Sequence, residues 1–198
     1  HFFFNYTSHT DIYTLSLNDV LPKAAAKIVV MDSDTTAMAM GFHVLTAARA
    51  ALSGATLSEC QRLAEEARKH TGVYFVVDTL EFLRRGGRIG GAQAFLGSAL
   101  NLKPLLELRD GRIEAVERVR TKGKAVSRMI DLVVDQVAGR TPVRLATLHA
   151  NAEDEAKSTL EAAAARLNPV EQILASVSPV IGSHAGPGTV GLAYMAGL

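Results

Sequence analysis

Residues 86–91 read Gly86-Gly87-Arg88-Ile89-Gly90-Gly91. Glycines on both sides let a ligand come close to the backbone, and the planar guanidinium between them suits two-point recognition of a carboxylate or phosphate. The plainer alternative is a glycine hinge that bears an exposed arginine. This segment is not a nucleotide loop: no Gly-Lys-Ser/Thr follows it, and it lacks the Gly-x-Gly-x-x-Gly pattern of a strand–turn–helix unit. Ser183-His184-Ala185-Gly186-Pro187-Gly188 is the second segment of interest. A histidine beside a Gly-Pro-Gly turn sits on a stiff loop and belongs to the residue type that changes charge near neutral pH. Its neighbouring glycines can expose amides as an anion nest, while the alternative is a histidine that merely satisfies a turn.

Other groupings point less far. Asp32-Ser33-Asp34 follows an apolar run and reads as a helix cap rather than a magnesium site. The six histidines show no His-x-x-x-His spacing, so no metal and no cofactor are expected. No Gly-x-Ser-x-Gly elbow exists, and Ser183 next to His184 has no triad spacing, which weakens a hydrolase reading. Arg118, Arg120, Lys122 and Lys124 form a small basic run, either a solvated face or a dock for an acidic partner.

These residues need elements to position them. Residues 12–17 and 27–31 suit buried strands, and 36–52 a buried helix ending at Gly54. Thr56-Leu57-Ser58-Glu59 has capping-box spacing ahead of an amphipathic helix to about His70, with Cys60 on its apolar face as a small core residue. A strand is predicted at 73–77 and a helical turn at 79–85, stopped by Gly86-Gly87. Asp110-Gly111 between 105–108 and 112–119 predicts a hairpin, because both turn positions must tolerate positive φ. Helices at 122–138 and 153–167 alternate with strands at 143–149, 173–177 and 190–194. The alternation predicts an α/β fold, the hairpin makes one sheet mixed, and the best domain boundary lies near Gly72.

Composition excludes several classes. The 198 residues are 48% hydrophobic and 21% charged, enough to bury about 70% of the unfolded surface without staples. With 21 basic against 20 acidic side chains, the net charge of +1 argues against a nucleic-acid partner and against a disordered chain. One cysteine, Cys60, forms no internal disulfide, which suits a reducing cytoplasm. Residues 172–198 carry no formal charge, yet Pro179, Gly182, Gly186, Pro187, Gly188 and Gly191 break them, so buried strands and a tight loop are expected instead of stable membrane insertion. His1 to Tyr6 has neither methionine nor a basic n-region and reads as a chain entered part-way, not as a signal peptide.

Taken in order, Phe75-Val76-Val77-Asp78-Thr79-Leu80-Glu81-Phe82-Leu83, Gly86-Gly87-Arg88-Ile89, Leu96-Gly97-Ser98-Ala99-Leu100-Asn101-Leu102-Lys103-Pro104-Leu105-Leu106, Asp110-Gly111 and His184-Ala185-Gly186-Pro187-Gly188 resemble the DegV family. Members of that family are fatty-acid-binding proteins that serve as lipid-carrying subunits of bacterial fatty acid kinase. The resemblance runs from about Lys27 to the C-terminus. It implies two α/β domains with a long acyl chain buried between them. Residues 1–72 would form an incomplete N-terminal domain with a mainly parallel sheet, and 73–198 a C-terminal domain with a mixed sheet.

The same resemblance implies that Arg88 and His184 meet the carboxylate, with Thr7 and Ser8 as the nearest match to the family's first-domain hydroxyls. Thr7-Ser8-His9-Thr10 lacks the proline that follows the family's Thr-Ser, and the Leu-Ser-Gly-Thr segment has no counterpart between Leu17 and Lys27, as if N-terminal pieces were omitted. Ile89, Phe95, Leu96 and Leu102 are the expected tunnel walls. The expected activity is binding, with catalysis left to a partner kinase catalytic subunit. The alternatives are a stand-alone lipid-ester hydrolase or acyltransferase and a sensor of a non-lipid anion.

Overall fold

The computed structural model describes residues 3–5, 27–95 and 102–198. A short parallel pair opens it, β1 (Phe3–Asn5) beside β2 (Val30–Asp32). Two helices follow, α1 (Ala37–Leu52) and α2 (Leu57–Lys69). Then come β3 (Thr71–Val76), the short α3 (Glu81–Arg85) and a 3-10 turn at Gly90–Phe95. Hairpin strands β4 (Lys103–Arg109) and β5 (Arg112–Val119) lead into α4 (Lys122–Val137). The chain closes with β6 (Val143–His149), α5 (Glu153–Leu167), β7 (Glu171–Ser176), α6 (Pro179–Ala185) and β8 (Val190–Ala196).

Strands β3 to β8 make one mixed sheet in the order β5-β4-β3-β8-β6-β7, where β6 and β7 run parallel and the other neighbours antiparallel. This is the mixed α/β fold that the alternation predicts. Every residue of β8 is buried, and its unbroken apolar run is what a strand covered on both faces requires. One face carries α4 and α5: Ala125, Met129 and Val133, four residues apart, pack with Ala156, Leu160 and Ala163 over Val76, Leu145 and Leu192. Truncating the fully buried Met129 to Ala would cost about 2–5 kcal/mol in such a layer. The opposite face carries α1, whose Ala39 and Phe42 meet Val73, Ala146, Leu148, Ala193 and Met195. Helix α2 closes on α1 through Ala47, Cys60 and Ala64, so Cys60 is the small core residue expected.

Local signals explain the ends of these elements. Thr56 Oγ1 accepts a hydrogen bond from the Glu59 amide while the Glu59 carboxylate accepts from the Thr56 amide at 2.7 Å, the capping box of α2. Those bonds hold the Glu59 carboxyl below the usual carboxylate range. Arg109 pairs with Arg112 across a two-residue turn in which Asp110 and Gly111 have φ of 49° and 72°, as a type I′ hairpin needs. Gly72, the expected boundary, is the second residue of β3.

Some local expectations change, and the strand expected to be buried at 27–31 is β2 (Val30–Asp32), whose Val30 is exposed. Asp32-Ser33-Asp34 does not cap α1: Asp32 Oδ1 accepts from the Asp34 amide at 3.0 Å and Ser33 Oγ donates to the Thr35 carbonyl, which closes a turn. Thr36 takes the N-cap position instead, with no side-chain capping bond. The uncharged tail is not strands and a loop alone, because α6 lies within it. Ser178 caps that helix by accepting from the Ile181 amide, and Pro179 fills its first turn, where a missing N–H is harmless.

Candidate ligand site

The site begins at α3. Glu81 accepts from Arg84 at 2.8 and 3.0 Å and from Arg85 at 2.6 Å, and these guanidiniums pull its carboxyl down to about 2. Two of the three arginines in this stretch are thereby turned to Glu81. Arg88 leaves after the Gly86-Gly87 stop, its amide donating to the Leu83 carbonyl at 2.8 Å. Its side chain lines a cavity instead.

The segment from Asp78 to Gly86 packs antiparallel on the segment from His184 to Gly188. A Cβ placed on Gly86 would fall on His184 Nδ1, one on Gly186 on the Phe82 ring, and one on Gly188 on the Asp78 carboxylate. Three glycines are thus required by contact at the two motifs. Asp78 is held in turn by Lys103 at 2.9 Å, and Lys122 bridges Asp78 and Glu155 at 3.8 and 2.7 Å. The Gly188 amide donates to the Ala150 carbonyl, and the Thr189 hydroxyl donates to the carbonyls of Ala185 and Gly186. His184 therefore stands in the last turn of α6 rather than on a loop, with Nδ1 buried against Gly86 and no hydrogen-bond partner for it.

Between this unit, the sheet and the start of α1 lies an apolar cavity of about 310 Å³. Met40, Val73, Phe75, Leu83, Leu108, Ile113, Leu148, Val177, Val180 and Ile181 supply most of its wall. Among the described residues, Arg88 and His184 are the only ionisable side chains that line it. Thr36, Ser178 and Thr189 add hydroxyls, of which Ser178 is engaged in its cap and Thr189 with carbonyls. The chemistry on offer is a hydrophobic tail space with one cationic and one imidazole group at its wall.

The sequence-predicted residues fare differently. Arg88 and His184 come together in one cavity although nearly half the chain separates them. Ile89 and Phe95 pack instead on the cluster of Val77, Leu80, Leu83, Ala92 and Leu106, and the Arg118 guanidinium stands 4.9 Å from the Phe95 ring. Leu102 is half-buried ahead of β4 and is not among the lining residues. Thr7, Ser8, Leu96 and the strand expected at 12–17 lie outside the described residues. Phe75, Leu108, Ile113 and Leu148, which do line the cavity, project from β3, β4, β5 and β6 of the one sheet; Phe75 opens a quoted motif without being singled out as wall, and no motif marks the other three. Gly186, Gly188 and Gly191 have Gly-x-Gly-x-x-Gly spacing, but the chain runs there from helix to strand, the reverse of a dinucleotide site.

A second, polar cavity of about 690 Å³ opens between α1, α2 and the β4–β5 turn. Ion pairs furnish its wall: Arg68 with Asp34, and Lys69 with Glu66 at 2.7 Å. His43 lines it from α1, only 1% exposed, with neither ring nitrogen hydrogen-bonded. Burial lowers its pKa to about 4, so the ring is neutral near neutral pH. Among the described residues no group of His, Cys, Asp and Glu is arranged to hold a metal ion, and no helix is long and apolar enough to cross a membrane.

Comparison with known proteins matches residues 15–197 to the family described as "Uncharacterised protein, DegV family". A DegV domain-containing protein of Streptomyces coelicolor is 44% identical over 171 residues, which cover 86% of this chain and 60% of that protein. Protein DegV of Bacillus subtilis is 38% identical over 164 residues, covering 82% and 58%. The chain therefore spans about three-fifths of the curated relatives it matches. Among solved structures, the fatty-acid-binding DegV family protein from Thermus thermophilus superimposes with a TM-score of 0.83 at 37% identity, over 88% of this chain and 63% of that one. DegV of Bacillus subtilis, described as a fatty acid binding protein, gives 0.75 at 36% identity over 86% and 62%.

Proposed function

The chain belongs to the DegV family, and from that premise we propose that it binds a long-chain fatty acid and presents the carboxylate to a separate fatty acid kinase catalytic subunit. The observation that carries this reading is the apolar cavity whose only ionisable lining groups, among the described residues, are Arg88 and His184. Each buried methylene contributes roughly 0.8 kcal/mol, so a long tail gains on the order of 10 kcal/mol before ordering costs. A buried carboxylate costs several kcal/mol unless a cation and donors meet it. Arg88 supplies the fixed charge and two-point contact. His184, with Nδ1 packed on Gly86, offers Nε2. Thr7 and Ser8, which the resemblance implies as head-group hydroxyls, complete the proposed carboxylate site.

In this reading the ligand lies between a unit of residues 1–72 and a unit of residues 73–198. The make-up of the cavity wall supports that division, since Thr36, Ala37 and Met40 come from α1 and its N-cap and the remainder from beyond residue 72. Catalysis, ATP and metal belong to the partner. Native mass spectrometry of freshly purified protein, followed by lipid extraction, tests the binding step. A mass increment that extracts as a long-chain fatty acid is expected. Protein that is empty and also takes up neither added oleate nor palmitate overturns the reading.

A further inference from the structure

The two cavities share a wall. Leu108 of β4 lines both, and the turn before α1 divides between them, with Thr35 on the polar side and Thr36 on the apolar side. Strand register explains the position. Phe75 pairs with Leu106 and Tyr74 with Glu107, so continuing the ladder sets Leu108 beside Val73, on the sheet face that α1 covers. Further along each strand the lining changes character: Gly72 and Thr71 of β3 and Arg109 of β4 belong to the polar cavity.

We infer that Leu108 is the partition that ends the alkyl space and thereby sets the length of acyl chain the protein takes; this deepens the fatty-acid reading and rests on it. The apolar side rewards each added methylene with about fourfold tighter binding. Beyond Leu108 that gain vanishes. A methylene there would lie against the Arg68–Asp34 and Lys69–Glu66 pairs and would strip water from their charged groups. The isobutyl group of Leu108 thus separates a side where chain length is favourable from a side where it is not.

The test measures affinity of the full chain for a ladder of saturated fatty acids from decanoate to eicosanoate, in wild type, Leu108→Ala, Leu108→Met and Leu108→Phe. Leu108→Ala should move the best-bound chain up by about two or three carbons and raise the eicosanoate-to-tetradecanoate affinity ratio by about 15- to 60-fold. Leu108→Phe should move it down, and Leu108→Met, nearly equal in volume, should leave it in place. Length profiles of Leu108→Ala and Leu108→Phe that superimpose on wild type, while wild type binds, overturn the partition and leave the fatty-acid reading standing. Should wild type bind no acid of any length, the binding reading falls. Xenon-pressurised crystals then decide the partition separately: xenon should stay on the apolar side of residue 108 in wild type and reach past it in Leu108→Ala. The same xenon volume in both proteins overturns it.

Discussion

Gly86 and His184 occupy a single place between them, because a methyl group on Gly86 would land on the imidazole Nδ1. The backbone of Gly86 is ordinary, with φ of −76°, so the requirement for glycine is contact and not conformation. Its neighbour Gly87 shows the opposite case, with φ of +67° and nothing within 4 Å of an added Cβ. The two glycines of one motif are thus needed for different reasons, and substitution separates them.

Gly86→Ala should lower the free energy of unfolding by about 1–3 kcal/mol, the range for overpacking a filled contact. Gly87→Ala should cost about 1 kcal/mol, the penalty for a left-handed alanine. Urea denaturation of both variants measures the difference. Gly86→Ala should in addition weaken fatty-acid binding, since it displaces His184, whereas Gly87→Ala should bind more nearly like wild type. Equal effects on stability and binding would remove the contact argument.

His43 makes stability depend on acid. Its pKa falls from 6.5 to about 4 by burial, so between those values the unfolded chain holds a proton that the folded chain lacks. Acidification through that window therefore favours unfolding, and stability gained above pH 6.5 is lost as the pH drops toward 4. The total for this one group is about 3 kcal/mol. Urea midpoints measured across the window should fall with pH in wild type and fall less steeply in His43→Leu. Parallel slopes for the two proteins would show that other groups carry the acid sensitivity.

The capping box of α2 gives a smaller, local effect. Thr56→Ala removes the hydroxyl that accepts from the Glu59 amide and should cost about 1 kcal/mol. Glu59→Gln keeps an acceptor for the Thr56 amide and should cost less, by thermal denaturation monitored through far-UV circular dichroism.

What the sequence makes legible is mostly local. Asp110-Gly111 announces its hairpin because positive φ at two successive positions admits few residue types, and Thr56 with Glu59 announces a helix start for an equally short-range reason. Helix α6 is harder to see: Ser178-Pro179 is a start signal, but seven uncharged residues carry no amphipathic period to confirm it. Arg88 and His184 line one cavity because glycines at 86, 186 and 188 let two distant segments pack closely, and spacing along the chain contains no trace of that packing. The resemblance supplied the pair. The walls of the cavity follow from strand order, which sets β3 between β4 and β8, and that order is fixed by long-range packing and not by any motif.

Arg88 can be separated from the apolar wall by changing the ligand's charge. On the proposed reading the guanidinium meets the carboxylate, whereas tail burial would proceed in the same cavity whatever the head group. Arg88→Ala should therefore weaken binding of a long-chain fatty acid by about tenfold to a hundredfold, the worth of a charge-assisted hydrogen bond, while binding of the corresponding methyl ester changes little. Arg88→Lys should recover part of the loss, because an ammonium keeps the charge without the planar two-point contact. Isothermal titration of acid and ester against wild type and both variants gives the comparison. In the presence of the kinase subunit, acyl-phosphate formation should fall further than affinity does, since tail burial still loads the protein but leaves the carboxylate poorly oriented. Equal weakening of acid and ester by Arg88→Ala would mean that Arg88 supports the cavity wall and not the head group.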